Sequence, residues 1–401
     1  MNGPSSQIAA GTDWVRLRLW PPGPRVFRKQ IAATSPGLRA AGRVAVLDRD
    51  GGLVGWGLWH PRSAIAVRLL RRGAEPADDA WVRERAAAAV ARRLATPELA
   101  GAQSFRVLHA EGDDFPGLVV DRYGPVLSAT IYTATAEHLW ELAQPILAAA
   151  LDAPHWRLSF DTASADAEYE NVFEKTSADC PWSVKIEEHG LRFEVDFRGG
   201  HKTGFFCDQR ENRARFATLC AGRSVLDVCC YTGGFALNAA GHGATEVLAI
   251  DLDEVAVAQA QRNANLNSER LGAARKNLRF VHADAFSYLR TLQRSDQSFD
   301  VVVLDPPKFL RSRRDTEDAE SRYHDLNKLG IGRVKPGGLL LTCSCSGMLP
   351  LDEFQELVRR AARGTGRNAR LLRTTGAGPD HPCRLDFPEG AYLKALWLQV
   401  D

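Results

Sequence analysis

Val225-Leu226-Asp227-Val228-Cys229-Cys230-Tyr231-Thr232-Gly233-Gly234-Phe235 reads as a strand that runs through a Gly-Gly turn into a helix. The strand is predicted over Ser224–Val228. Glycines at a strand-to-helix turn let the backbone approach a ligand closely. Only a glycine pair is present, not the spaced triple of the dinucleotide fingerprint, so pyrophosphate binding is disfavoured.

Downstream the strand–loop–helix pattern repeats. Strands are predicted at Val247–Asp251, Arg279–His282, Phe299–Leu304 and Leu339–Cys343, with helices between them such as Val255–Leu266. The βαβαβ order predicts a mostly parallel, doubly wound sheet. Asp251 ends the second strand, where a carboxylate suits ribose hydroxyls. Asp284 follows the third, where an adenine amine could be read. Asp305-Pro306-Pro307-Lys308 ends the fourth. Singly each signal is weak, since an Asp after a strand is often a helix cap. Together, at the carboxyl edge of four successive strands, they mark a nucleotide-like cofactor site. The set resembles the class I methyltransferases, whose S-adenosylmethionine site Asp227, Gly233, Asp251, Asp284 and Asp305 match in order.

Upstream the pattern differs. Gly42–Asp48, the turn Asp50-Gly51-Gly52, Leu53–Leu58 and Ile65–Leu70 read as a small β-barrel. Residues 79–96 and Glu137–Leu151 have helical spacing among strands, a mixed α+β pattern. The expected division is a small barrel over 1–75, a central α+β domain over 76–198 and the parallel-sheet domain over 199–401. The net charge is +2, yet residues 1–74 hold 12 Lys and Arg against 3 Asp and Glu, a balance of +9. That suits phosphate contact or mere solubility equally. Eight cysteines without a disulfide framework or zinc spacing point to reduced thiols in a cytosolic protein with no structural metal. No apolar run approaches a membrane span, and Met1–Gly11 reads as a short disordered lead rather than a secretory signal.

The fifth strand ends in Leu340-Leu341-Thr342-Cys343-Ser344-Cys345-Ser346-Gly347. A thiol beside a methyl donor suggests one chemistry above others. Cytosine C5 is a poor nucleophile, and a thiolate adding to C6 makes C5 enamine-like. Asp305 is placed to protonate or hydrogen-bond N3. A base must also remove the C5 proton, and the sequence does not identify it. Strand alternation turns Cys343 and Cys345 the same way, so both are expected to line the site or both to be apolar core.

The whole chain is similar to the bacterial large-subunit (23S) ribosomal RNA cytosine-C5 methyltransferases that carry an N-terminal PUA domain. The resemblance rests on Gly55-Trp56-Gly57 with Pro61-Arg62-Ser63, on Glu111-Gly112-Asp113-Asp114-Phe115-Pro116-Gly117, and on His201-Lys202-Thr203-Gly204-Phe205-Phe206-Cys207-Asp208-Gln209-Arg210. It rests also on Asp305-Pro306-Pro307-Lys308-Phe309, Ser344-Cys345-Ser346-Gly347 and Pro388-Glu389-Gly390-Ala391-Tyr392-Leu393-Lys394. It implies a PUA barrel, a central α+β domain and a Rossmann-like class I methyltransferase sheet. It also implies S-adenosylmethionine as cofactor and Cys345 as nucleophile. Lys202, Thr203, Phe206 and Gln209 would close over the cofactor, with Tyr231 beside it. Relatives suggest a homodimer. Two departures stand out. Cys343 replaces a bulky apolar residue, and Lys308 occupies the place where many other cytosine-C5 enzymes keep a second cysteine.

By resemblance the PUA and central domains help hold ribosomal RNA, naked or in an assembling subunit. Lys308, Arg311, Arg313 and Arg314 are substrate-contact candidates, although the Arg run could equally be a solvated loop. The target base must be unstacked to reach Cys345. Trp56, Trp59 and Tyr231 could stack on bases, but barrel core is the expected place of both tryptophans. Arg359, Arg360, Arg363, Arg367 and Arg370 are expected on one solvated helix face. Three further readings stay in view. A methyltransferase for a guanine nitrogen would leave Cys345 idle. A non-catalytic RNA-binding assembly factor would not need intact acids and thiol. A small-molecule methyltransferase would not need a PUA domain.

Overall fold

Val225, Leu226, Asp227 and Val228 are all fully buried, as befits the central strand of a parallel sheet covered on both faces. The computed structural model describes residues 8–160, 174–198, 204–310 and 312–401. They fall into two compact units. One comprises residues 1–184, 200–205 and 379–390, and the other residues 185–199, 206–378 and 391–401.

The second unit is built on a seven-stranded sheet. Its strands are β1 (Ser224–Val228), β2 (Glu246–Asp251), β3 (Leu278–His282), β4 (Phe299–Leu304), β5 (Val334–Ser344), β6 (Ala369–Thr375) and β7 (Lys394–Val400). Their order is β3-β2-β1-β4-β5-β7-β6. The first five run parallel, and β7 is antiparallel to both its neighbours. Helices α1 (Arg210–Ala217), α2 (Gly234–Gly241), α3 (Glu254–Leu266), α4 (Ala285–Arg294), α5 (Thr316–Ile331) and α6 (Leu351–Thr365) accompany it. The strand order reverses between β1 and β4, and ligands of such sheets bind at the carboxyl edge of that switch point.

Two features of this sheet correct the sequence reading. β5 is longer at both ends than Leu339–Cys343, because Val334 pairs with Phe299 and Ser344 pairs with Lys394. Of the five arginines expected on one helix face, Arg359, Arg360 and Arg363 are exposed on α6. Arg370 lies on β6. Arg367 follows the helix and donates from Nη1 to the Ile331 carbonyl at 2.9 Å.

In the first unit the barrel pattern becomes a six-stranded sheet. Its order is Arg25–Phe27, Ile65–Arg72, Leu53–Trp59, Gly42–Leu47, Trp14–Leu17 and Ile31–Thr34. Trp59 packs in its core, while Trp56 packs against the next cluster and donates from Nε1 to the Ala74 carbonyl. A five-stranded sheet follows, with helices Asp79–Ala95 and Ala136–Leu151 packed in the same core. Asp78 caps the first helix by accepting from the Trp81 amide at 2.9 Å.

Candidate active site

Asp227 is the deepest carboxyl at the sheet edge. Its Oδ2 accepts the Ala236 amide at 2.9 Å, which ties β1 to the first turn of α2. Its Oδ1 is buried without a hydrogen-bond partner. Burial, reinforced by the charges of Asp305 and Asp251, holds its pKa well above the usual carboxylate range.

The loop after β1 is strained. Cys229 and Tyr231 have φ of +65° and +47°, and Gly233 has +86°. Non-glycine residues in this region cost roughly 1–3 kcal/mol each and persist only where their surroundings hold them. Asp251 supplies the hold: its Oδ2 accepts the Tyr231 amide at 2.7 Å and its Oδ1 the Asp253 amide at 2.9 Å. The Tyr231 ring meets Phe206 edge-on at 4.9 Å. Burial pushes its hydroxyl up to about 12. A Cβ at Gly233 would lie 3.1 Å from Phe280 and 3.2 Å from Ala260. Glycine is therefore needed there for the turn and for close packing of the loop on β3 and α3.

Asp284 accepts the Ser287 amide at 2.9 Å and caps α4. Leu252, next to Asp251, is 65% exposed. An apolar side chain left open beside the second acid is a feature the sequence reading passed over, and its signal was simply its position after Asp251.

Asp305 follows β4, and its amide donates to the Val228 carbonyl at 3.1 Å. Its Oδ1 accepts from Gln209 Nε2 at 2.9 Å. Gln209 Oε1 in turn accepts from Asn212 at 2.6 Å, Asn212 Oδ1 from Thr375 at 2.7 Å, and Thr375 Oγ1 from Trp397 Nε1 at 2.8 Å. A side-chain chain thus runs from β7 and β6 through α1 to Asp305, and it fixes which way the Gln209 amide points.

The two thiols differ. Cys343, within β5 and paired with Ala395 of β7, is fully buried. Burial, then the charge of Asp305, pushes its thiol well above the ordinary range. Cys345 lies just past the strand end and is half-buried, with Sγ 3.9 Å from the Pro306 carbonyl. It therefore adjoins the turn that carries Asp305. Strand pairing stops at Ser344, so the two thiols meet different neighbours, Cys343 the Gln209 side chain and the charge of Asp305, Cys345 the Pro306 carbonyl.

Tyr323 of α5 organises this strand end. Its hydroxyl accepts from Ser344 Oγ at 3.0 Å and lies 2.9 Å from Ser346 Oγ. The Leu310 amide donates to Ser346 Oγ at 3.3 Å, and Phe309 packs on the Tyr323 ring at 4.8 Å. Both loops beside Cys345 hang from one tyrosine. It lies in a helix that no motif distinguishes.

Lys308 and Arg314 are exposed. Lys202, Thr203 and Arg311 lie outside the described residues, as does the side chain of Arg313.

A family model described as S-adenosylmethionine-dependent methyltransferase matches residues 106–396. This chain belongs to that family. A PUA-like domain model matches residues 23–72 of this methyltransferase. It is 40% identical over 386 residues to a ribosomal RNA large subunit methyltransferase of Deinococcus radiodurans, covering 93% of this chain and 91% of the relative. It is 37% identical over 361 residues to ribosomal RNA large subunit methyltransferase I of Shewanella amazonensis, covering 89% and 90%. Its fold is similar to that of a candidate SAM-dependent methyltransferase from Streptococcus mutans, with TM-score 0.78 and 18% identity over 94% of this chain and 95% of that one. A candidate methyltransferase in complex with SAH superimposes with TM-score 0.78, 18% identity and the same coverage.

The residues fit S-adenosylmethionine. Four carboxyls converge on the edge where an ammonium, a sulfonium and a ribose diol need acceptors, and Asp227 offers one buried oxygen with none of its own bonds made. This has a stability consequence. The folded pKa of Asp227 lies above its unfolded value, so the associated stability is full below about pH 4 and lost as pH rises through the folded pKa. Asp227→Asn keeps an acceptor for Ala236 and removes the charge. At neutral pH it should melt higher by roughly 2–4 °C for each kcal/mol regained, and the gain should vanish near about pH 4. S-adenosylmethionine affinity by calorimetry should fall about tenfold or more. A variant that melts below the wild type would show the carboxylate to be well paired.

Proposed function

We propose that this methyltransferase forms 5-methylcytosine in large-subunit ribosomal RNA through a covalent bond from Cys345 to C6 of the base. The observation that carries the reading is a half-buried thiol beside the Asp305-Pro306 turn at the cofactor edge. Transfer to a nitrogen would leave it idle. The relatives, named as ribosomal RNA large subunit methyltransferases, support ribosomal RNA of the large subunit as substrate. Bound S-adenosylmethionine supplies an electrophilic methyl group.

Cys345 adds to C6 as the thiolate, and the C5–C6 π electrons are pushed toward C5 and N3. Asp305, oriented by Gln209, hydrogen-bonds N3 as charge develops there. After C5 is methylated, loss of its proton to a base and elimination of Cys345 restore the aromatic ring. No second cysteine follows the Pro pair, so Lys308 leaves release to that elimination.

In this reading residues 1–75 form the PUA-like RNA-binding domain, residues 76–198 a central domain that also helps hold RNA, and residues 199–401 the catalytic domain. The +9 balance of residues 1–74 would neutralise phosphates and position the substrate. Lys308 and Arg314 would meet the RNA near the target base. Lys202, Thr203, Phe206 and Gln209 would close over the cofactor. The site of action is then the cytoplasm, where ribosomal RNA is made in a bacterium.

Covalent trapping tests the reading. Ribosomal RNA transcribed with 5-fluorocytidine has no C5 proton to lose, so the enzyme should stall as an adduct that survives a denaturing gel. Wild type with S-adenosylmethionine should give the adduct and Cys345→Ala should not. Methylation of ordinary RNA without any adduct would overturn the C5 reading in favour of a ring nitrogen. No methylation of any ribosomal RNA would favour an assembly factor.

A further inference from the structure

The segment Pro388–Lys394 is a sequence motif that the chemistry above does not use. Its last residue, Lys394, opens β7 and pairs with Ser344 of β5. Only 6% of it is exposed. Its ammonium donates to the Ser346 carbonyl at 2.6 Å and the Tyr392 carbonyl at 2.8 Å. Tyr392 is itself held, its hydroxyl donating to Asp208 Oδ2 at 2.6 Å. A buried ammonium is costly unless an opposite charge compensates it. The two bonded partners are neutral carbonyls, which satisfy donors without supplying charge. Cys345 directly precedes the bonded Ser346, so its thiolate would supply an opposite charge beside the ammonium, while Lys308 would oppose it.

We propose that Lys394 is a positioning residue for Cys345: it holds the carbonyl next to the thiol and favours the thiolate over the thiol. On ionisation the thiol proton passes to solvent, and Lys394 keeps its own. The other titratable groups about this strand end are Tyr323 of α5, Lys308 and Asp305 of the loop after β4, Cys343 of β5, and Asp208, which accepts from Tyr392. Burial pushes Tyr323 and Cys343 up, so both stay neutral at pH 7. Burial also brings Lys394 down to about 8, so its charge remains in place at neutral pH and fades above it. The inference rests on Cys345 acting as a nucleophile, but its test does not use RNA.

The rate of Cys345 alkylation by iodoacetamide would be followed between about pH 6 and 9. Peptide mass mapping separates this thiol from the other cysteines. Lys394→Gln keeps donors for the two carbonyls and loses the charge; Lys394→Arg keeps the charge. With Lys394→Gln, alkylation at neutral pH should slow about tenfold and the profile should move to higher pH. Lys394→Arg should keep the wild-type profile. A wild-type profile in Lys394→Gln would overturn the proposal. Should Lys394→Gln not fold, the reciprocal measurement decides. The Lys394 titration seen by NMR should shift to lower pH in Cys345→Ala, and an unchanged midpoint would overturn the proposal as well. A missing 5-fluorocytidine adduct alters neither readout, so the two readings fail separately.

Discussion

Cys345→Ala should lower kcat by at least about a thousandfold and leave S-adenosylmethionine affinity unchanged. Cys343→Ala should keep kcat within about threefold of wild type and cost about 1 kcal/mol of stability. The asymmetry follows from where the two thiols sit. Cys343 is fully buried between strands, and burial together with the Asp305 charge keeps its sulfur protonated. It acts as a small apolar side chain, and its loss opens a small void. Cys345 is half-buried beyond the strand end, beside the Pro306 carbonyl, with both flanking serines fixed by Tyr323. In the proposed mechanism Cys345 makes a covalent bond that no neighbour can replace, so the remaining machinery should bind without turning over. Single-turnover transfer of labelled methyl to ribosomal RNA measures the chemistry, and calorimetry measures the cofactor. Near-wild-type turnover in Cys345→Ala would remove the thiol from the mechanism. Loss of turnover in a folded Cys343→Ala would transfer the role to the buried thiol.

The parallel strands were legible because each is a short apolar run ended by an acid or a turn signal. Ser224–Val228 and Phe299–Leu304 stand as the sequence predicts, and Glu246–Asp251 differs by one residue. β6 was not legible. Leu371 and Leu372 are both exposed on it, and its pairing with β7 shifts register between Leu371 and Arg373, so no two-residue period survives. The acids were legible for the same reason as the strands, since the turn that ends a strand is where the carboxyl stands. Their supports were not. Gln209, Asn212, Thr375 and Trp397 form one chain across four elements. Tyr323 and Lys394 reach the Cys345 turn from α5 and β7. Gln209 and Lys394 stand in segments that the resemblance singles out, but which partners they meet is set by tertiary packing, and spacing along the sequence carries no trace of that.

Asp113→Ala should destabilise the protein by about 3–5 kcal/mol and lower its melting temperature by roughly 10 °C. Asp113 is almost fully buried and accepts from Arg93 Nη1 and Nη2, both at 2.6 Å, and from the His109 amide at 2.7 Å. Arg93, 2% exposed, also reaches the Arg106 carbonyl at 3.0 Å and the Asp380 carbonyl at 2.8 Å. Removing the carboxylate strands a buried guanidinium, which costs more than the pair contributes. Arg92 touches the same carboxylate, but its side chain is 51% exposed, so Arg92→Ala should cost under about 1 kcal/mol. Replacing the pair together, Arg93→Met with Asp113→Leu, should recover much of the loss. Urea unfolding of the three variants tests this, and equal losses in Asp113→Ala and Arg92→Ala would refute it. The neighbours explain why Glu111–Gly117 reads as a signature. Glu111 pairs with Arg25 at 2.8 Å, Asp114 has φ of +67° and pairs with Arg384, and Phe115 is fully buried. A Cβ at Gly112 would lie 2.0 Å from the Pro382 carbonyl. The side chains of this acidic motif are therefore spent on holding the unit together, so Asp113→Ala should reduce activity only as far as it unfolds the chain.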